Sequence, residues 1–400
     1  MTQPRIAGRL GQDTFLSRAL HRDYRHVPGA FTGPELADLI TFDVLSDIVA
    51  RHRLEPPRLR LAVDGETLPP HRYATSVTTR RGQVWQRTHP AELHERLAEG
   101  ASLVVDQIDH LHEPVGDLAA ELEGWLRSSV QVNAYASWTA TEGFGVHWDD
   151  HDVVVVQVEG AKRWQLFGPT RRMPLHRDVA EPEPPPDVPV AELVMRPGDL
   201  LYLPRGWWHA VTADQGTHSL HLTCGITPPH TGARLLAWLA DELLASDTFR
   251  TDLPLHADQD DQAAFVEVLG KEVTAALQDP HLLLRYADAQ DAADMGRLRP
   301  SLPHVTEVPA DADLFVRLTT GRARVTDVTA DGEDLVRLRG AGQEVDAAAA
   351  AAPLFHRLTE PRWHRLGDLA DAAGVSVADA AGLVTELVTA QMAAVRTARP

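Results

Sequence analysis

Two histidines and one aspartate, set into a stretch rich in strand signals, constrain this chain more than any other feature. His147 and Asp149 are two residues apart in Gly143-Phe144-Gly145-Val146-His147-Trp148-Asp149-Asp150. On an extended strand both side chains would project to one face. His209 follows 60 residues after Asp149 and closes the run Pro197-Gly198-Asp199-Leu200-Leu201-Tyr202-Leu203-Pro204-Arg205-Gly206-Trp207-Trp208-His209. From about 130 to 227 the chain is short alternating or apolar runs broken by Gly, Pro and Asp, the pattern of a sandwich or small barrel. Two imidazoles and one carboxylate on one side of a metal leave the opposite positions open, as in non-haem Fe(II) oxygenase centres.

With 20 histidines and 57 acidic residues in the chain, a His-x-Asp tripeptide alone decides nothing. It occurs at His21/Asp23, His147/Asp149, His176/Asp178 and His256/Asp258. Context separates them. His21 follows a helix-like run, His176 lies beside a proline-rich loop, and His256 lies in an Asp-rich connection. Only His147 leads into an unbroken strand, Val153–Val158, followed by a Glu159-Gly160 turn and a second strand, Lys162–Phe167. This succession predicts a hairpin.

A chain of 400 residues exceeds one ordinary domain. Residues 1–130 mix helices (33–40, 113–129) with strands at 59–63 and 103–105. Three helical stretches follow the β-rich region, at 233–244, 260–277 and 280–294, each with an apolar face suited to capping the barrel or to a dimer interface. Strands return near 313–340, and Ala347 to Ala352 reads as a linker or helix start. In the tail, Leu366, Leu369, Ala370 and Ala373 form one face, Gly374 a turn, and Val377–Val388 a second helix. That second helix carries no Lys or Arg, so a structural or protein-contacting module is expected rather than DNA binding. One cysteine, Cys224, excludes a disulfide framework. With no signal peptide or membrane span legible, a cytoplasmic location is expected. A net charge of −19 disfavours nucleic acid and suits basic partners. The acidic loop Glu181-Pro182-Glu183-Pro184-Pro185-Pro186-Asp187 is a candidate contact for them.

Lys162, at the head of the second strand, reads either as an exposed lysine beside a turn or as a cation for a carboxylate. Asn133 and Tyr135, two apart on a neighbouring strand, read as pocket residues or as satisfied core polar groups. Taken in order, Asn133-x-Tyr135, the segment 143–150, Gln157-Val158-Glu159-Gly160-Ala161-Lys162-Arg163-Trp164, the run 197–209 and Thr217-His218-Ser219-Leu220-His221-Leu222-Thr223 resemble the JmjC family, and within it the ribosomal-oxygenase branch.

The resemblance implies an α+β chain. A double-stranded β-helix (cupin/JmjC) barrel at 1–228 would precede a helical dimerisation block at 229–300 and a winged-helix-like domain at 301–400. It implies Fe(II) on His147, Asp149 and His209, with 2-oxoglutarate and O2 as co-substrates. Lys162 and Tyr135 would hold the 2-oxoglutarate carboxylate, and Asn133 and Ser219 would lie near co-substrate or target. The implied activity is hydroxylation of a histidine or arginine side chain in a ribosomal protein by a homodimer, Lys162 itself pointing weakly to histidine. Trp148 and Trp207-Trp208 depart from the family's usual residues and are expected to reshape the substrate groove. Competing readings are a hydroxylase of a small molecule or biosynthetic peptide, a zinc cupin, and a non-catalytic cupin binding protein.

Overall fold

The computed structural model describes residues 5–63, 66–138, 145–180, 183–213, 218–330 and 332–397. Chain contacts divide it into two compact units, 1–228 and 229–400, so the helical block and the tail fall in one unit.

In the first unit the strands are β1 (Arg25–Val27), β2 (Leu59–Val63), β3 (Glu66–Thr67), β4 (Ala74–Thr78), β5 (Val84–Thr88), β6 (Ser102–Val105) and β7 (Ser129–Ser137). They continue as β8 (Asp152–Glu159), β9 (Lys162–Pro169), β10 (Ala191–Met195), β11 (Leu200–Leu203), β12 (Trp207–Ala213) and β13 (Ser219–Thr227). An eight-stranded antiparallel sheet runs β1-β11-β8-β13-β7-β6-β2-β3, and a smaller one runs β10-β9-β12.

The run of four valines opening β8 explains why that strand shows no alternation. Val153 and Val155 join Trp164, Leu166, Met195, Leu201 and Leu203 in a core between the two sheets. Val154 and Val156 point the other way, with Leu222 and Tyr202, into a larger core against the helices Gly33–Leu39, Phe42–Arg51 and Glu113–Leu126. A central strand buried on both faces reads as continuous apolar sequence. The sheet-rich, helix-covered architecture is the α+β barrel class expected.

The expected hairpin is absent. β8 has β11 on one side and β13 on the other, so both its edges are taken. β9 instead pairs with β10 and β12 in the smaller sheet. Glu159-Gly160 is therefore a crossover between sheets. Gly160 has φ +62°, and a Cβ there would lie 1.8 Å from the His218 carbonyl oxygen, so the crossing needs glycine. The strand read over Val153–Val158 is β8, which begins at Asp152; His147 and Asp149 precede it, His147 in an isolated bridge to His209.

In the second unit, helices Gly232–Leu243, Gln259–Leu277 and Leu282–Ala292 lead to β14 (Phe315–Leu318), β15 (Arg324–Ala330), β16 (Glu333–Gly340) and β17 (Gln343–Ala348). Then come helix Ala352–Leu358, β18 (His364–Arg365), helices Leu366–Ala373 and Val377–Thr389, and β19 (Ala393–Arg396). β18, β14 and β19 form one antiparallel sheet, and β15, β16 and β17 another. Leu366 and Leu369 are fully buried, and the last two helices meet at 110° through Gly374. Among the described residues no single helix is long and apolar enough to cross a membrane.

Candidate active site

His147 and His209 face each other through a reciprocal backbone bridge. His147 N donates to His209 O at 3.0 Å, and His209 N to His147 O at 2.8 Å. This bridge does for His147 what a full strand was expected to do: it fixes the backbone beside β12. The His147 Nδ1 pairs with the Gly145 carbonyl at 3.1 Å, and the His209 Nδ1 with the Trp207 carbonyl at 2.9 Å. A carbonyl can only accept, so each Nδ1 carries the proton and each Nε2 bears the lone pair of its ring. The His209 Nε2 lies 3.7 Å from Asp149 Oδ2, and one donor atom from each of the three residues falls within 4.8 Å of the others. Burial, then the charge of neighbouring His147, pushes His209 down to about 4, so it is neutral near pH 7, as a ligand must be.

These donors fit a resident metal on three grounds: oriented Nε2 lone pairs, carbonyls fixing the far side of each ring, and only three donors, which leaves open coordination positions. Among the described residues this is the only such cluster. The other His-x-Asp copies serve elsewhere: the His21 Nδ1 lies 2.5 Å from buried Asp152, and Asp178 pairs with Arg171.

A cavity of about 270 Å³ opens beside the triad, lined by both sheets. Its wall follows from register. Arg60 on β2 is opposite Val104 on β6, Val104 opposite Tyr135 on β7, Tyr135 opposite His221 on β13, and His221 opposite Gln157 on β8. Directly opposed residues share a face, so one transverse row sets Arg60, Tyr135 and His221 into the cavity. Tyr135 and His221 stack with ring centroids 5.0 Å apart and planes 3° from parallel, as neighbours in that row should. In the smaller sheet Trp164 on β9 stacks on His209 of neighbouring β12, at 5.6 Å.

Lys162 enters from β9. It is 5% exposed, lines the cavity, and has no carboxylate partner among the described residues. Burial alone brings it from 10.5 to about 8. Burial, followed by the Asp149 charge, pushes the Tyr135 phenol up to about 12, so it stays protonated. His221 is lowered by burial and then by Lys162, and its buried Nδ1 has no hydrogen-bond partner. A buried ammonium with a neutral phenol and a neutral imidazole in the same wall is a receptor for a carboxylate.

Thus His147, Asp149, His209, Lys162 and Tyr135 share one cavity. Asn133 and Ser219 lie outside its lining. Asn133 is one step further out on β7, where its Oδ1 accepts from Gln107 N at 3.0 Å and Gln131 Nε2 at 3.1 Å. Ser219 is fully buried and accepts from Gln157 Nε2 at 2.9 Å. Trp208 is buried with its Nε1 donating to Thr170 Oγ1 at 2.8 Å, and Trp207 packs on Tyr24. Neither tryptophan lines the cavity, where Trp164 stands with Tyr135. Sequence reading missed His221, although Ser219, His221 and Thr223 alternate on β13 and that period was available. It missed Arg60 because only sheet order brings β2 to the site. Gly143, Phe144, Thr217, Glu181 and Pro182 lie outside the described residues.

Fold and site together define a metal-binding barrel with three protein ligands and an adjoining anion pocket. Residues 110–233 match the JmjC domain family, so the chain carries a JmjC domain, and that stretch is similar to ribosomal oxygenases. It is 34% identical over 150 residues to the "Bifunctional lysine-specific demethylase and histidyl-hydroxylase NO66" of Drosophila persimilis, covering 38% of this chain and 22% of that one. It is 36% identical over 125 residues to "Ribosomal oxygenase 2" of Rattus norvegicus, covering 31% of this chain and 26% of that one. The aligned part thus spans about a quarter of those relatives' length. Among solved structures, YcfD, a ribosomal oxygenase from Escherichia coli in complex with cobalt and 2-oxoglutarate, superposes with a TM-score of 0.60 at 18% identity. That likeness is one of fold, and it covers 97% of this chain and 98% of the other.

Proposed function

We propose that this chain is an Fe(II)- and 2-oxoglutarate-dependent dioxygenase that hydroxylates a histidine or arginine side chain of a ribosomal protein. The observation that carries the reading is the pairing of two metal-ready imidazoles and Asp149 with buried, unpaired Lys162 in one cavity. The cobalt and 2-oxoglutarate bound by YcfD, and the names of the aligned relatives, support it. When bound, iron would supply the activation of dioxygen, driven by oxidative decarboxylation of 2-oxoglutarate to succinate and carbon dioxide.

His147, Asp149 and His209 would hold the metal, while the Gly145 and Trp207 carbonyls keep both rings in the ligating tautomer. Lys162 would meet the distal carboxylate of 2-oxoglutarate, with Tyr135 donating its phenolic proton and His221 filling the rest of the wall. Val153, Val211 and Trp164 line the same cavity and keep bulk water from the reacting carbon. The acidic exterior, −19 overall, would draw in a basic segment.

The exposed apolar helices after residue 229 are read as a homodimer surface. The tail, with its β14-β18-β19 sheet and a last helix free of Lys and Arg, is read as a winged-helix-like module for protein contacts. A cytoplasmic location fits a ribosomal substrate.

The test is succinate formation by the protein reconstituted anaerobically with Fe(II), then given 2-oxoglutarate and oxygen. Slow turnover that disappears in His147→Ala is expected. No turnover together with no 2-oxoglutarate binding would overturn the reading in favour of a zinc or non-catalytic cupin.

A further inference from the structure

Arg60 stands in the cavity wall two strands across the sheet from Tyr135, on a strand 75 residues earlier in the chain. Its Nε and Nη2 are taken by Asp106 in a two-point pair, at 2.7 and 2.9 Å. That fork fixes the plane of the guanidinium. Asp106 itself does not line the cavity, whereas Arg60 does. Guanidinium groups only donate.

Charge bookkeeping inside the cavity is one-sided. Among the described residues its lining contains two cations besides the histidines, Lys162 and Arg60 (the latter paired with Asp106), and one carboxylate, Asp149, which belongs to the metal triad. A 2-oxoglutarate dianion would meet Lys162 and the metal, which leaves Arg60 facing the remaining space, where a target side chain must arrive. The outside of the molecule attracts basic segments, and the inside presents a fixed cation to the residue that enters.

We infer that Arg60, held by Asp106, is the specificity-determining residue of this cavity: it excludes cationic target side chains and admits neutral ones that accept a hydrogen bond, imidazole or carboxamide. This rests on the oxygenase reading and deepens it. A basic peptide would thus be recruited by its flanking charges and read at a neutral residue, so that two filters of opposite sign act in series.

The experiment measures the affinity of short fluorescein-labelled, lysine-flanked peptides whose central residue is histidine, glutamine, arginine or lysine. Anisotropy is read on the manganese-loaded protein with 2-oxoglutarate under nitrogen, so no turnover is needed. The wild type should favour histidine over arginine by about tenfold or more, since like charges in a partly dry cavity repel strongly. Arg60→Lys should keep that preference. Arg60→Met with Asp106→Asn, which removes the fork without leaving a bare carboxylate, should shrink it to about threefold or less. Arg60→Met alone, with Asp106 uncompensated, should tip the preference toward arginine.

Arg60's role is overturned by equal or better binding of the arginine peptide to the wild type, by an unchanged ratio in the double variant, or by no binding of any peptide. 2-Oxoglutarate is titrated on the same samples. If it binds while the peptide ratios disagree, the oxygenase reading stands and this inference falls. If it does not bind to the wild type, both fall together.

Discussion

At the scale of single residues, Lys162 shows how function and stability oppose each other here. Its ammonium is buried without an anion, and burial brings it from 10.5 to about 8. The folded pKa is below the unfolded one, so folding disfavours the charged form. Below pH 8 the folded protein carries the full penalty, about 3 kcal/mol for a shift of this size. Between pH 8 and 10.5 the penalty is relieved, because the folded state sheds its proton first. Lys162→Met should therefore raise stability near pH 7 by about 2–3 kcal/mol, seen as a higher urea midpoint, while abolishing 2-oxoglutarate binding. In the wild type, 2-oxoglutarate affinity should fall roughly tenfold from pH 7 to pH 9, as free Lys162 loses its proton. A flat affinity profile with an unshifted urea midpoint would place the carboxylate elsewhere.

At the scale of elements, the chain's own text announces strands and helices better than it announces their neighbours. β2 occupies Leu59–Val63, as its β-branched and aliphatic run indicates, and the helix over Gly33–Leu39 starts at a capping box on Thr32 and Glu35. β8 and β9 were both legible, but their pairing was not. A turn residue between two apolar runs looks the same whether the chain folds back or crosses to another sheet. Both edges of β8 are filled by strands that arrive 40 or more residues later, and only that competition decides. The metal ligands were legible because their donor types and spacing are rare in company. His221 was within reach of the period-two alternation on β13, whereas Arg60 was not, since a cross-strand row is a property of register.

The crossover at Gly160 gives a sharp test. Gly160→Ala would drive its Cβ into the His218 carbonyl and should cost about 3 kcal/mol or more, with loss of metal binding. Gly374→Ala shares a positive φ, +65°, but meets nothing within 4 Å, and should cost only about 1 kcal/mol. Denaturant titration of the two variants separates backbone strain from collision. Equal losses would mean the crossover is looser than its geometry.

At the scale of the molecule, the second unit leaves too much apolar surface open for a lone chain. Helix Gln259–Leu277 is 19 residues long and buries none of them. Val266 is 64% exposed and, on the helix Leu282–Ala292, Leu283 is 69% exposed. A helix of that length with an apolar face left open acquires a partner or frays. The net charge of −19 repels a second copy at long range, so association must come from short-range burial and should strengthen as salt screens that charge. A stable pair needs about 800 Å² per partner. Val266→Glu with Leu283→Glu places two carboxylates on this surface. Both positions are open, so stability of the fold should change by less than about 0.5 kcal/mol per site. In sedimentation at tens of micromolar, the wild type should move at twice its 43.9 kDa chain mass and the double variant at once that mass. A wild type sedimenting as one chain at high salt would assign these helices to a different protein partner.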